Sequence, residues 1–381
     1  MKFTRHLFLL LNSLAVLLFL LACANSFLHP GRWWLISLLG LAFPYLLVLV
    51  IVFLLVALFM RLFRRWSLLS LAALLIGWSN IRHCLAMHPG TSYREDRQTM
   101  GSGQSGTTLR ILTWNVRSFD DFVTRKRPPV RSRIQMLEFI GRQQADVLCL
   151  QEFYEPLTRH GLESNITYIQ SQLHYPYYYF SRDYTHPGLY AAGVIIFSRF
   201  PIVDSSLHIF QRPNGLRTTE SLISADILAG EDTIRVFTTH LQSVLFGSKE
   251  YRDLEIIKNV DDSIVDASRS IVRKLRDAFR HRADQAGEVR ARLDSCPHPA
   301  CITGDFNDVP NSYTYSTIRG NWQDAWLQRG FGIGRTFKNI SPTLRIDYIL
   351  ASPEWSVVQC RKIITPWSDH NPVEADLQLN P

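Results

Sequence analysis

One set of six residues after position 108 of this 381-residue chain combines side-chain oxygen atoms that would suit a hard cation. The set comprises four carboxylates and two amides: Glu152, Asp305, Asp347, Asp369, Asn115 and Asn307. Oxygen ligands of this kind favour Mg²⁺ or Mn²⁺. Because none of these positions is a cysteine, the set argues against Zn²⁺ and against an iron–sulfur cluster.

Two histidines, His240 and His370, extend this set. A hard cation beside histidine and aspartate suits the attack of water on a phosphate ester. The cation neutralises the developing charge, a carboxylate or imidazole activates the water, and amides and imidazolium hold the phosphoryl oxygens. The chain carries neither of the two common glycine-rich nucleotide-binding loops. The residue types therefore indicate metal-assisted hydrolysis of a phosphate ester.

Short apolar runs that end in these polar residues must position them. Strand-like runs alternate with helical stretches, which predicts an α/β or α+β body. The expected strands cover 110–116, 146–152, 192–197, 221–228, 233–240, 300–305, 345–350 and 373–377, and the expected helices cover 131–144 and 253–293, the second broken near 261 or 262. Strands that all end in polar side chains at one edge build a cleft at that edge.

Six short motifs resemble those of the endonuclease/exonuclease/phosphatase superfamily. They read Thr113-Trp-Asn-Val116, Leu150-Gln-Glu152, Thr239-His-Leu241, Thr303-Gly-Asp-Phe-Asn-Asp308, Arg345-Ile-Asp-Tyr348 and Ser368-Asp-His370, in the family's order across residues 109–378. The resemblance implies a four-layer α/β sandwich, in which two packed mixed β-sheets are flanked by helices. It also implies a metal-dependent hydrolase that acts on phosphate esters.

The resemblance implies a role for each matching residue on the metal side of the site. Glu152 resembles the principal metal ligand, and Asn115 resembles the ligand beside it. Asp369 resembles a further ligand of the metal or of its water. The implied cofactor is Mg²⁺ or Mn²⁺.

The resemblance also implies roles in proton transfer and phosphate binding. Asp305 resembles the residue that orients or activates the attacking water, and Asn307 resembles an amide that contacts the phosphate. His370 resembles the catalytic imidazole, with Asp347 as the carboxylate that orients it. His240 matches the second histidine of the DNase and sphingomyelinase branches, whereas AP endonucleases have tyrosine there. The sequence shows no carboxylate partner for His240, so its role as acid or as phosphate clamp stays open.

Simpler structural roles are the alternatives for several of these residues. Asn115 and Asn307 are residue types that cap turns, Asp305 follows a glycine as strand-end turn residues do, and Asp347 would also serve as a buried core carboxylate. Three further features have two interpretations each, either substrate contact or structure: Arg217, Thr336 and the aromatic run 173–180. Cys296 and Cys301 flank a turn, but their spacing does not establish a disulfide.

The first 83 residues are typical of a membrane anchor. Three apolar runs cover 7–28, 33–60 and 66–81, and the first two exceed the roughly 20 residues that a helix needs to cross the hydrocarbon core. The third run has only 16 residues, and we expect it to be a short span. Residues 2–23 also resemble a signal peptide that ends at Cys23, which leaves lipoprotein-type cleavage as an alternative.

Basic residues beside these runs predict their orientation. Lys2, Arg5, Arg61, Arg64 and Arg65 lie at one face, against Arg32 and Arg82 at the other. The positive-inside rule therefore places the N-terminus in the cytoplasm, and three crossings place the rest of the chain outside it, in the periplasm or beyond. If 66–81 does not cross, the rest of the chain is cytoplasmic.

The net charge of +8 belongs almost entirely to this anchor and the linker after it. Residues 1–100 hold nine basic and two acidic side chains, whereas the remaining 281 residues hold 32 and 31. Residues 84–108 have the Gly/Ser-rich composition of a flexible linker, and 109–381 form the expected catalytic domain. A nearly neutral catalytic domain produces little positive electrostatic potential with which to bind a polyanion.

These observations predict a membrane-anchored, Mg²⁺-dependent phosphoesterase that hydrolyses phosphodiester bonds. Its expected partners are a phosphate-ester substrate and the lipid bilayer. A nuclease-type substrate, nucleic acid, ranks slightly first because nucleases are numerous in the superfamily. The first alternative is a phospholipid phosphodiesterase of the sphingomyelinase type or an inositol-phosphate phosphatase. The second is a non-catalytic binding module on the same fold.

Overall fold

A computed structural model describes residues 2–60, 64–90, 93–95, 106–120, 130–157, 163–211, 217–244 and 264–381. Within these residues the helices are Lys2–Ala24 (α1), Pro30–Leu41 (α2), Phe43–Phe59 (α3), Ser67–Ile76 (α4), Trp78–Cys84 (α5), Val130–Gln143 (α6), Asn165–Gln172 (α7), Ile264–Asp294 (α8), Tyr313–Arg319 (α9) and Ala325–Arg329 (α10). The strands are Ala86–Met87 (β1), Thr108–Asn115 (β2), Val147–Pro156 (β3), Tyr177–Phe180 (β4), Tyr184–His186 (β5), Tyr190–Ser198 (β6), Ile202–Gln211 (β7), Arg217–Ala229 (β8), Asp232–His240 (β9), Ala300–Asp305 (β10), Gln323–Asp324 (β11), Phe331–Gly332 (β12), Asp347–Ala351 (β13), Trp355–Lys362 (β14) and Val373–Leu379 (β15).

The chain forms two compact units that do not follow its linear order. The helical unit comprises Met1–Cys84, Gln242–Gly287 and Asp308–Ile318, and the sheet unit comprises Leu85–Leu241, Glu288–Asn307 and Arg319–Pro381. The predicted division into anchor, linker and catalytic domain stays a prediction. Part of the linker lies outside the described residues, as does the predicted break near 261 or 262.

The apolar N-terminal runs form helices with breaks that the sequence pattern did not predict. The 33–60 run is divided at Ala42 into α2 and α3, which are bent by 57°, and the 66–81 run is divided at Gly77 into α4 and α5. Among the described helices, α1 alone is long and apolar enough to cross a bilayer, while α2 and α3 reach that standard only as a pair. A signal sequence or a buried core helix meets the same criterion.

The sheet unit contains two large mixed β-sheets. One has six strands in the order β11-β13-β10-β9-β8-β7, and the other has seven, with the order β14-β15-β2-β3-β6-β4 and β5 paired to β6. Two pairs of neighbours are parallel, β2 with β3 and β9 with β10. The predicted fold class, two mixed sheets flanked by helices, is confirmed.

Two apolar cores hold the sheet unit together. The core between the sheets combines side chains from both, including Ile111 and Cys149 from one sheet and Val236 and Ile349 from the other. The second core lies where α6 and α7 cover the outer face of the seven-stranded sheet. Period-two alternation along the strands separates the residues of the two cores, since successive side chains point to opposite faces. The buried apolar surface fixes the strand register, and hence the positions of the residues at the strand ends.

Candidate active site

The central strands of the six-stranded sheet bring three predicted residues side by side. β10 ends at Asp305, which lies opposite His240 on parallel β9 and opposite Asp347 on antiparallel β13. Gly304 precedes Asp305 with φ +132°, and a Cβ there would approach the Thr239 carbonyl oxygen to 2.0 Å. Glycine therefore allows the close approach of the strands that places these three side chains together.

The seven-stranded sheet contributes Asn115 and Glu152 from parallel strands β2 and β3. The pairing of β3 with β6 shifts between Leu150 and Phe153, so Glu152 lies in a β-bulge. Its backbone has φ +49°, a conformation that is rare for a residue with a side chain. Bulges and strained backbones of this kind re-aim side chains at functional sites. Here the bulge holds the Glu152 carboxylate, which is 39% exposed, beside Asn115.

The two sheets meet at these residues. The Asn115 amide nitrogen lies 3.0 Å from Glu152 Oε1 and 3.1 Å from Asp305 Oδ2. His240 Nε2 lies 3.8 Å from both of these carboxylate oxygens. Two carboxylate oxygens from different sheets thus converge on one amide and one imidazole.

His370 faces the same centre from the loop before β15. Its Nδ1 lies 2.9 Å from Asp347 Oδ2, and its Nε2 lies 3.7 Å from Asp305 Oδ2. The indole of Trp114 donates to the His370 carbonyl oxygen at 3.0 Å, and the His370 backbone N–H donates to Ser368 Oγ at 3.1 Å. The ring is therefore held between a carboxylate partner and the centre of the site.

Burial and charge change the proton affinities in this cluster. Burial, together with the negative charge of Asp347, raises the pKa of Asp305 to about 6, although His370, His240 and the Asn115 amide oppose the rise. Burial lowers the proton affinity of His370, but the attraction of Asp347 and Asp305 outweighs it and raises the pKa of His370 to about 10. The site therefore favours a cationic His370 beside an ionisable Asp305 at neutral pH.

Asn307 and Asp369 lie next to this centre along the chain. Asn307 has φ +53°, donates its backbone N–H to Asp305 Oδ1 at 2.8 Å, and donates its amide to the Leu241 carbonyl at 2.9 Å. The carboxylate of Asp369 lies 3.6 Å from Arg117 Nε. Asn307 thereby joins the ends of β9 and β10.

Two residues that the sequence analysis missed support the site. Gln151 is fully buried and donates its amide to Thr238 Oγ1 at 2.9 Å, so it links β3 to β9 just below Glu152 and His240. Asp183 is a further carboxylate whose charge interacts with His240: burial raises the pKa of Asp183, and the charge of His240 opposes that rise. The Leu150-Gln-Glu152 motif could have indicated Gln151, whereas no motif marks Asp183.

The structure decides some of the features for which the sequence left two interpretations. Thr336 is buried, and its Oγ1 accepts from the backbone N–H of Ile346 and Asp347, which is a structural role. The aromatic run ends in β4, the edge strand of the seven-stranded sheet. Cys296 and Cys301 are free thiols. Arg217 begins β8, and its side chain lies outside the described residues.

Asp183→Asn is expected to lower kcat about tenfold, because the electrostatic interaction between this carboxylate and His240 is lost. The measurement is a double-mutant cycle of Asp183→Asn with His240→Ala. If Asp183 acts through His240, adding Asp183→Asn to His240→Ala costs no further activity. Independent, additive losses in the double variant would contradict this coupling.

The donor set fits a hard cation. Asp305, Asp347 and His370 have donor atoms within 4.8 Å of one another, so this buried group could hold a metal ion. Glu152 offers a third carboxylate, and its Oε1 and Asp305 Oδ2 both lie within about 3 Å of the same amide nitrogen. Crowded carboxylates, among which Asp305 has a raised pKa, are the arrangement that a divalent cation stabilises.

Comparison with known proteins agrees with this geometry. Residues 112–370 match the endonuclease/exonuclease/phosphatase family, and the chain belongs to that family. It is a phosphoester hydrolase by family. Residues 5–84 match a domain of unknown function. No curated protein matches the chain.

Solved structures share the fold at low sequence identity. An endonuclease/exonuclease/phosphatase from Beutenbergia cavernae DSM 12333 is 22% identical, with 72% of each chain covered and a TM-score of 0.51. The human Nocturnin catalytic domain with bound sulfate is 20% identical, with 72% of this chain and 95% of that chain covered and a TM-score of 0.50. ANGEL2, a 2′,3′-cyclic phosphatase in complex with adenosine-2′,3′-vanadate, is 17% identical, with 72% and 97% covered and a TM-score of 0.50.

Proposed function

We propose that this protein is a membrane-anchored, Mg²⁺-dependent phosphodiesterase of the nuclease type. The observation that carries the proposal is the convergence of Glu152, Asn115, Asp305, His240 and the His370–Asp347 pair at one edge of two sheets, joined by distances below 4 Å. Catalysis by a hydrolase of this class requires a metal ligand, a base and groups that hold the phosphoryl oxygens within reach of one another.

We assign the metal to Glu152 and Asn115, with Asp369 as a further ligand of the metal or of its water. Glu152 supports this assignment because its carboxylate is the most exposed of the central group and is aimed there by a strained bulge. Asp347 is engaged by His370 Nδ1 and is better suited to orienting that ring. When bound, Mg²⁺ or Mn²⁺ would neutralise charge that develops on the phosphoryl oxygens.

The chain's own residues divide the proton and phosphate chemistry. Asp305 accepts the proton of the attacking water, a role for which a pKa of about 6 is well matched to neutral pH. His370, cationic and oriented by Asp347, holds a phosphoryl oxygen through Nε2. Asn307 donates its amide to another phosphoryl oxygen, and His240 either clamps the phosphate or protonates the leaving group.

We rank a nucleic-acid or nucleotide diester first among the substrate classes. The adenosine-2′,3′-vanadate bound to ANGEL2 supports this ranking. A phospholipid head group is the second candidate, and a specific observation favours it. Large apolar side chains stand exposed along α1, α3 and α4, including Leu10, Leu17, Val52 and Leu75. Exposed apolar surface on three helices is typical of contact with lipid.

A substrate panel tests this proposal on the full-length protein. Single-stranded DNA, duplex DNA, RNA, sphingomyelin vesicles and inositol phosphates are each incubated with Mg²⁺. The hydrolysis products are measured: shortened oligonucleotides from the nucleic acids, phosphocholine from sphingomyelin and free phosphate from inositol phosphates. We expect hydrolysis of an oligonucleotide. Hydrolysis of sphingomyelin alone would contradict the nuclease assignment and identify the protein as a phospholipid phosphodiesterase. Stoichiometric Mg²⁺ binding by calorimetry without turnover of any substrate would favour a binding module.

The anchor and its orientation are a further part of the proposal. We assign 1–83 to a membrane anchor, 84–108 to a linker and 109–381 to the catalytic domain. Within the helical unit, Asn25 follows α1 directly and its amide donates to the Asn311 carbonyl at 2.8 Å. Lys2 and Arg5 lie at the other end of α1, about 30–35 Å away along its axis. If α1 spans the bilayer with this basic end inside, Asn311 lies outside the cytoplasm.

Protease accessibility tests this orientation. In sealed right-side-out vesicles, an added protease should degrade the region after residue 84, and in sealed inverted vesicles that region should be protected. A domain protected in right-side-out vesicles and cleaved in inverted ones would contradict the assigned orientation.

A further inference from the structure

Three buried asparagines form a node of hydrogen bonds in the helical unit. The Asn25 amide donates to the Asn311 carbonyl at 2.8 Å, and the Asn80 amide donates to Asn311 Oδ1 at 2.7 Å. The Asn311 amide in turn donates to the Ala22 carbonyl at 2.8 Å. Main chain and side chain of Asn311 are therefore held by the end of α1 and by α5 at three points.

The node is tightly packed. Asn25 and Asn311 are each 1% exposed and Asn80 is 5% exposed. Gly40 on α2 allows this packing, because a Cβ there would lie 2.0 Å from the Asn25 amide nitrogen. A buried amide without its partner costs about 1–3 kcal/mol, so the node favours one arrangement of these segments.

A buried arginine fixes the same stretch of chain at a second place. Arg282 on α8 is 1% exposed, and its Nε lies 3.2 Å from Asp308 Oδ2. Its guanidinium also donates to the Gln242 carbonyl at 2.9 Å. Asp308 directly follows Asn307, and Gln242 comes two residues after His240. The chain is thus held immediately beyond two residues of the candidate active site.

We propose that Asn25, Asn80 and Asn311 are positioning residues for catalysis. Helices α1 and α5 fix the chain segment that continues from Asn307, and so restrict where the strained Asn307 backbone can place its amide. The N-terminal helices then contribute to turnover as well as to anchoring. This inference rests on the phosphate-contacting role proposed for Asn307.

The node and the membrane helices can be perturbed separately. Asn80→Ala removes the donor to Asn311 Oδ1, and Asn25→Ala removes the donor to the Asn311 carbonyl while leaving Asn311 intact. Ser70→Ala is the matched control, because Ser70 Oγ on α4 donates to the buried Asn12 Oδ1 on α1 at 2.9 Å. This bond also joins two N-terminal helices, but it has no part in the node.

The test measures kcat, KM and the thermal midpoint of each full-length variant in detergent, with bis(p-nitrophenyl) phosphate as the soluble probe and saturating Mg²⁺. We expect Asn80→Ala and Asn25→Ala to lower kcat about 10- to 100-fold, because small displacements of a positioned group are costly. KM should change less than about twofold, because a misplaced Asn307 amide weakens contact in the transition state more than in the ground state. Ser70→Ala should retain the wild-type kcat.

Two outcomes would overturn the inference. One is a wild-type kcat per folded enzyme in Asn25→Ala, and the other is an equal loss of kcat in Ser70→Ala and in both node variants. Asn25→Ala keeps the test decisive if Asn80→Ala does not fold. Failure of the proposed function is distinguishable, since the wild-type protein would then hydrolyse no phosphate diester at all.

Discussion

His370→Ala is expected to lower kcat for diester hydrolysis about 10³-fold, while Mg²⁺ affinity stays close to that of the wild type. The alanine removes the cationic imidazole whose Nε2 lies 3.7 Å from Asp305 Oδ2, and with it a donor to the phosphoryl oxygens. Asp347→Asn should produce a smaller loss, because the ring remains but loses the carboxylate that orients it at 2.9 Å. Steady-state kinetics and calorimetric Mg²⁺ titration measure the two effects.

The control for this prediction is His298→Ala. His298 Nε2 lies 3.7 Å from Asp226 Oδ2, so it is another histidine beside an aspartate in the sheet unit. It precedes β10, whereas the candidate site lies where β10 ends. We expect wild-type kcat in this variant. A His370→Ala enzyme with kcat within about threefold of wild type would show that the imidazole takes no part in the chemical step.

Glu152→Gln is expected to lower activity about 10²- to 10³-fold at millimolar Mg²⁺ and to weaken metal binding at least tenfold. The substitution keeps the size of the side chain but removes the negative charge that the bulge in β3 holds at the centre of the site. Raising the Mg²⁺ concentration should restore part of the activity, because the loss is partly one of affinity. The measurement is activity as a function of Mg²⁺ concentration in both enzymes.

Glu155→Gln provides the matched control on the same strand. Glu155 is buried, and its carboxylate accepts from the Ile166 backbone N–H at 3.0 Å, an interaction that a glutamine oxygen can also make. This variant should keep the wild-type dependence on Mg²⁺. Identical metal titrations for Glu152→Gln and the wild type would remove Glu152 from the metal site.

Much of the site could be predicted from the sequence because it follows from strand ends. Asp305 and His240 each end a predicted strand, and parallel pairing of those strands places them opposite each other. The approach of Asp347 to His370 was expected from the family resemblance, and their separation of 2.9 Å agrees with it. These features depend on local patterns and on a fixed sheet register.

Other features could not be predicted because they arise from contacts between distant residues. The bulge that turns Glu152 to φ +49° depends on how β3 pairs with β6, and nothing in the Leu150-Gln-Glu152 motif indicates it. Asp183 is recognised only once the fold brings it near His240. The helices at the N-terminus follow from apolar runs, but their bond to Asn311 joins residues 231 and 286 positions apart, which no periodicity reveals.

The central claim is that this chain hydrolyses a phosphate diester with a metal held at Glu152. The most direct measurement is the rate of diester hydrolysis by the purified full-length enzyme with Mg²⁺, after removal of the metal with EDTA, and after its return. We expect activity that EDTA abolishes and Mg²⁺ restores in the wild type, and almost none in Glu152→Gln under the same conditions. Activity that survives EDTA, or equal activity in the two enzymes, would contradict the account.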